Sequence, residues 1–162
     1  MFKTNTKHLQ PEMFSTVSKL PQKLRELLES SWADTFYREV FCRIDEKVFA
    51  VLYADIPSRP NVAINVLAGL EILKAGNGWS DAELFEHFSF DVQVRYALGY
   101  TELGDGTFAI RTLYYFRDRL SEYDLKTGIN LLESAFTAIT DAQIADLEVQ
   151  TEVQRMDSTQ IA

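Results

Sequence analysis

Few side chains in this sequence can do covalent or metal chemistry. Histidine occurs only at His8 and His87, and cysteine only at Cys42. An internal disulfide framework and a multi-cysteine zinc site are therefore excluded, and neither histidine has neighbours at metal-ligand spacing. His87 lies between Glu86 and Phe88 at an expected helix end, has no paired nucleophile, and reads as a packing or capping residue. Cys42, among aromatic residues, reads as a small buried hydrophobe. There is no Ser/His/Asp arrangement and no glycine-rich phosphate loop. The remaining chemistry is that of charge. A net charge of −8 argues against a surface that wraps DNA all round, because backbone contacts need Lys and Arg facing phosphates. The acids concentrate at the C-terminal end, where Glu133, Asp141, Asp146, Glu148, Glu152 and Asp157 stand against Arg155 alone. Such a stretch either solvates a helix face or gathers carboxylates for a metal.

Three groups of side chains are candidates for contact with DNA. Gln93 and Arg95 fall in the second of two short helices expected at 81–88 and 92–98, so a helix-turn-helix reading would aim them at base edges. The bland alternative for that pair is ordinary helix packing, and Asp81, Glu83, Glu86 and Asp91 make its surroundings poor in positive charge. Arg111, Arg117 and Arg119 are better suited to phosphate contact, unless Asp118, Glu122 and Asp124 neutralise them in surface pairs. Lys3, Lys7, Lys19, Lys23 and Arg25 form either a DNA-seeking arm or a solvated tail.

The elements that must position these residues are almost all helical. Leu20, Leu24, Leu27 and Leu28 share one face of a helix near 21–30, begun by Pro21. Trp32, Phe36 and Val40, with Tyr37, Phe41 and Ile44, make a second helix with an aromatic stripe that suits a core. Residues 45–53 read as a short helix, and the Pro57 to Pro60 segment then breaks the chain. Asn61 is placed to cap the next helix, 62–75, which is apolar all round and reads as the buried axis of the domain. Ser80 and Glu83 form a capping box for the helix beginning at Asp81. Gly99 closes the helix at 92–98, and the stretch 100–111 is the longest loop. Helix resumes through Leu113, Phe116 and Leu120. The stretch 127–147, with Ile129, Leu132, Phe136, Ile139, Ile144 and Leu147, forms one long helix or two broken near Thr140. After Glu148, Val149, Thr151 and Val153 alternate with polar residues, the pattern of a strand ending near Asp157. No partner strand is apparent in the sequence. The expected fold class is all-α, a compact multi-helix domain followed by a truncated C-terminal strand. Its parts are an N-terminal arm at 1–20, a helical domain at 21–147 and the strand at 148–162.

The segment Gln154-Arg155-Met156-Asp157-Ser158-Thr159-Gln160 resembles the first-aspartate strand of bacterial insertion-sequence DDE transposases. Upstream, Arg59-Pro60, the all-apolar helix, Trp79-Ser80-Asp81-Ala82-Glu83-Leu84, Arg95-Tyr96-Ala97-Leu98-Gly99-Tyr100 and Thr112 to Leu120 resemble, in order, the helical domain that precedes it. The resemblance implies an RNase H-like catalytic domain in which three carboxylates hold two Mg²⁺ ions. Asp157 is the only catalytic and metal-binding residue it carries over, and the other two acids are expected beyond Ala162. The chain is thus expected to be a fragment, inactive by itself, that recognises transposon-end DNA or pairs protomers as a homodimer. A helical protein–protein interaction module without a DNA role remains the alternative. With no run of about 18 apolar residues and no signal-peptide core, the expectation is a soluble cytoplasmic protein with no membrane partner and no small-molecule substrate.

Overall fold

Four α-helices of this chain begin where a short polar side chain takes up the first free amides, and a fifth begins on a buried acid. The computed structural model describes residues 2–10, 15–53 and 61–148. They form α1 (Gln22–Glu29), α2 (Trp32–Glu39), α3 (Ile64–Asn77), α4 (Asp81–Phe90), α5 (Val92–Ala97), α6 (Arg111–Thr127) and α7 (Leu131–Asp146). Three 3-10 helices, at Lys7–Leu9, Phe41–Arg43 and Glu46–Leu52, complete them, and there is no strand among the described residues. The all-α class is borne out, whereas the strand expected up to Asp157 lies outside the described residues. No described helix is long and apolar enough to cross a membrane.

Side chains at the N-cap position start four α-helices, the one at Ser80 as the sequence predicts. Ser31 starts α2, accepting from the Ala33 amide. Ser80 and Glu83 make the full capping box of α4, the carboxylate accepting from the Ser80 amide at 2.8 Å. Asp91 caps α5 and Asn130 caps α7. The long central helix α3 is different, since its N-cap position is Ala63 and no side chain of its own caps it. Asn61, the expected cap, accepts from the Lys3 amide and donates to the Val62 carbonyl instead. The cap comes from elsewhere in the chain. Glu46, only 4% exposed, accepts from the amides of Ile64 at 3.2 Å, Asn65 at 3.4 Å and Asn5 at 2.8 Å. A carboxylate there meets free amides and the positive end of the helix dipole together. Burial nevertheless pushes the Glu46 carboxyl above its ordinary range.

Helix α3 is the axis of the core, as its apolar composition predicts. Ile64, Val66, Leu67, Ala68, Leu70 and Leu73 are buried among Phe41, Phe49, Leu84, Phe88, Val94, Leu98, Leu113 and Phe116. Each such side chain contributes about 1.5–3 kcal/mol of transfer free energy. Gly69 permits the close approach of α5's end, for a Cβ there would lie 2.7 Å from Leu98 Cδ2. A smaller cluster of Leu28, Ala33 and Ala97 ties α1 and α2 to α5.

The periphery departs from the sequence reading in three ways. Helix α1 buries Leu28 but leaves Leu24 and Leu27 exposed, because it touches the body only through that small second cluster. The segment 45–53 is helical but wound as a 3-10 helix capped by Asp45. Helix α7 begins only at Leu131, though past Thr140 it is the unbroken helix of the two alternatives, the Thr140 hydroxyl donating to the Phe136 carbonyl at 2.7 Å within it. Gly128, at φ +72°, separates α6 from α7. Of the apolar positions along this stretch, Ile139 is buried, but Ile129, Phe136, Ile144 and Leu147 are exposed.

Residues 2–10, expected as part of a free arm, are laid across the body. Phe2 packs against Tyr53, the Asn5 side chain donates to Asn65 Oδ1 at 3.0 Å, and the His8 carbonyl accepts from the Tyr37 hydroxyl at 3.1 Å. The His8 ring meets Phe41 edge-on, with centroids 5.1 Å apart. Gly99, at φ +75°, makes room for it: an added Cβ would sit 2.7 Å from His8 Cβ and 2.9 Å from Phe41 Cε1. The acid that caps α3 thus also fastens this strap.

Candidate nucleic-acid interface

The residues that sequence spacing offers to DNA separate into buried and exposed groups. Arg95 is 2% exposed. Its guanidinium donates to three backbone carbonyls: Phe88 at 3.1 Å, Glu102 at 3.0 Å and Asp105 at 2.5 Å. The rings of Phe88 and Tyr100 flank it, with centroids 5.3 and 4.9 Å away. Arg95 therefore shapes the long loop before α6 and is not presented to a base edge. Burial pulls its pKa down, and the same environment pushes the Tyr100 hydroxyl up to about 12. Gln93 is half-buried and accepts from the Trp32 indole at 3.1 Å. The two helices around Asp91 also meet at that single residue, not through a three-residue turn, and α5 is only six residues long. A recognition helix needs an exposed reading face, and this pair spends that face on packing.

The arginines of α6 divide in the same way. Arg117 donates from Nε to Glu71 at 2.7 Å and from both terminal nitrogens to Asp81, at 2.8 and 2.7 Å. Lys74 shares Asp81 at 2.7 Å. This cluster fastens α6 to α3 and to the start of α4. The hydrogen bonds from Arg117, then those from Lys74, hold the Asp81 carboxyl well below the usual carboxylate range, while Asp81 raises the Arg117 pKa further. The neutralising acids therefore come from other helices, and not from Asp118 or Asp124 as the sequence suggests. Glu122 pairs with Lys126.

Arg119 and Arg111 remain exposed. Arg119 lies over the Tyr53 ring, 4.8 Å from its centroid, and Phe2 packs on the same tyrosine with centroids 6.3 Å apart. Lys3, next to Phe2, and Lys47, on the 3-10 helix that carries Tyr53, are exposed. Chain-distant elements thus bring Arg119 and the strap to one ring. Sequence spacing could not show this, since Phe2, Tyr53 and Arg119 share no local pattern. Among the described residues, Lys3, Lys19, Lys23, Arg25, Lys47, Arg111 and Arg119 make no ion pair, whereas Lys7 pairs with Asp105 and Arg43 with Glu39 and Asp146.

The other chemically capable residues have structural surroundings. His87 stacks on Trp79, centroids 4.3 Å apart, with Nδ1 3.4 Å from Asp91, in keeping with packing and capping. Cys42 is exposed, against expectation: α2 ends at Glu39, and the tighter 3-10 turn points Phe41 inward and Cys42 outward. Asp157 lies outside the described residues. Among the described residues no group of three His, Cys, Asp or Glu side chains could hold a metal ion.

These features define a helical domain that, among the described residues, carries several cations without an ion-pair partner. The chain belongs to the transposase domain family DUF772, whose family model matches residues 25–119, from within α1 to within α6. No curated protein and no solved structure matches the chain.

Proposed function

We propose that this domain contacts the phosphates of transposon-end duplex DNA through Arg119 and Arg111 on α6, with Lys3 beside them on the strap. The observation that carries this reading is Arg119, an exposed cation with no carboxylate partner among the described residues, held over the Tyr53 ring on a helix that begins within the family-matched region. A guanidinium stacked on an aromatic ring loses less freedom when it meets a phosphate than a free lysine does. Contacts of this kind position a protein on DNA without reading sequence. Arg117 takes no part, because two carboxylates already satisfy it. Cleavage and joining belong, in the same proposal, to an RNase H-like domain in which Asp157 is one Mg²⁺ ligand.

Fluorescence anisotropy with duplex DNA at several salt concentrations tests the reading. Arg119→Ala combined with Arg111→Ala should weaken binding across all sequences and lower the slope of log affinity against log salt by about 1 for each phosphate left unneutralised. Arg117→Ala should leave that slope unchanged. Unaltered affinity and slope in the double variant would refute the assignment.

A further inference from the structure

We propose that the outer face of α7 is a docking surface for a basic amphipathic helix of a protein partner. The inference is independent of the DNA-contact reading. Helix α7 has two apolar faces. Leu131 and Ile139 point into the core. A second stripe, Ile129, Phe136, Ile144 and Leu147, runs from the residue before the N-cap to the C-cap and is 45%, 46%, 37% and 74% exposed. At about 100° per residue Phe136, Ile144 and Leu147 fall within one quadrant of the helix surface, centred away from the buried pair and shared with Glu133, while Ile129 precedes the extended N-cap Asn130. Thr140, a small residue, lies among them and leaves room for side chains from another helix.

Charge decides what kind of partner fits. From Gly128 to Glu148 the chain has no Lys, Arg or His, while Glu133, Asp141, Asp146 and Glu148 are all exposed. Of these four acids, only Asp146 has an ion-pair partner among the described residues, Arg43. An apolar stripe with Glu133 among its residues and Asp141 and Glu148 along one side repels nucleic acid, anionic lipid and a second copy of the same acidic helix. It attracts a helix whose apolar face is bordered by Lys or Arg, because the borders then steer the encounter while the stripe supplies buried area. Phe136, the aromatic residue near the middle of the stripe, is suited to be the anchor.

The test uses the full chain and three labelled peptides of about 15 residues, a length near the limit for an isolated helix in water. The first has Leu at helical spacing bordered by Lys, the second has Glu in place of Lys, and the third has the first peptide's composition with the Leu positions shuffled off a single face. The proposal expects saturable binding of the first peptide alone, one per chain. It also expects Phe136→Ser with Ile144→Ser to weaken that binding about tenfold or more while the chain keeps its native circular dichroism, since more than a third of each side chain is exposed before any partner binds. Equal binding of the shuffled peptide, or undiminished binding by the double variant, would overturn it. So would a dimer in sedimentation that these two substitutions dissociate, because the occupant would then be a second copy.

Discussion

Arg95 illustrates how one residue can serve the fold when its spacing suggests recognition. Three carbonyls converge on its guanidinium and two rings flank it, so the charge is spread over dipoles without a carboxylate partner. Arg95→Met should keep much of the packing but strand those carbonyls, at a cost of about 3 kcal/mol. Urea denaturation measures this, and a variant as stable as the parent would show that the loop does not depend on the guanidinium. Asp81 makes a second prediction, this one about pH. Its folded pKa is depressed below the ordinary 3.8 by Arg117 first and Lys74 second. Its contribution is therefore present above pH 3.8 and is lost as the pH falls towards the folded value. Because the group is partly exposed, the effect should be about 1 kcal/mol or less. Asp81→Asn should flatten the acid limb of a stability-against-pH curve, and an identical limb in the variant would count against the coupling.

At the scale of elements, the local signals and the long-range ones behave differently. The capping box at Ser80 and Glu83 needs only four consecutive residues, and it forms as the sequence predicts. Ser80→Ala should cost about 1 kcal/mol by removing it, measurable as a lowered denaturation midpoint. The apolar-all-round pattern of α3 likewise survives as the core axis. Leu67 is buried there, so Leu67→Asp would bury an unpaired charge and should unfold the domain; circular dichroism showing native helix content and an unchanged melting temperature would contradict that assignment. The start of α3 was not legible, because its cap, Glu46, belongs to another helix. Nor was the exposure of Leu24, Leu27, Phe136 and Ile144. Periodicity reports that a helix has an apolar face, but whether anything covers that face depends on neighbours it cannot see.

For the whole molecule, a net charge of −8 means that any binding to DNA must depend on a few unneutralised cations, so its salt dependence must be shallow. In a titration at rising salt, the measured slope should correspond to about two or three phosphates at roughly 0.9 each, far below that of a protein that wraps its target. A slope several times larger would place many more cations at the DNA than Arg111, Arg119 and Lys3. The sequence by itself determined the all-helical class, the central buried helix, most of the helix starts and the membership of a transposase family, because each depends on spacing or composition within a short window. Only the tertiary structure decided which candidates are free to act. Arg95 and Arg117 lie 22 residues apart in the same charge class as Arg119, yet carbonyls from a folded loop satisfy the first and acids from α3 and α4 satisfy the second. Arg119 is left exposed over a ring brought from far along the chain. Whether a cation is available depends on how completely its surroundings solvate or neutralise it, and those surroundings exist only once distant elements have packed.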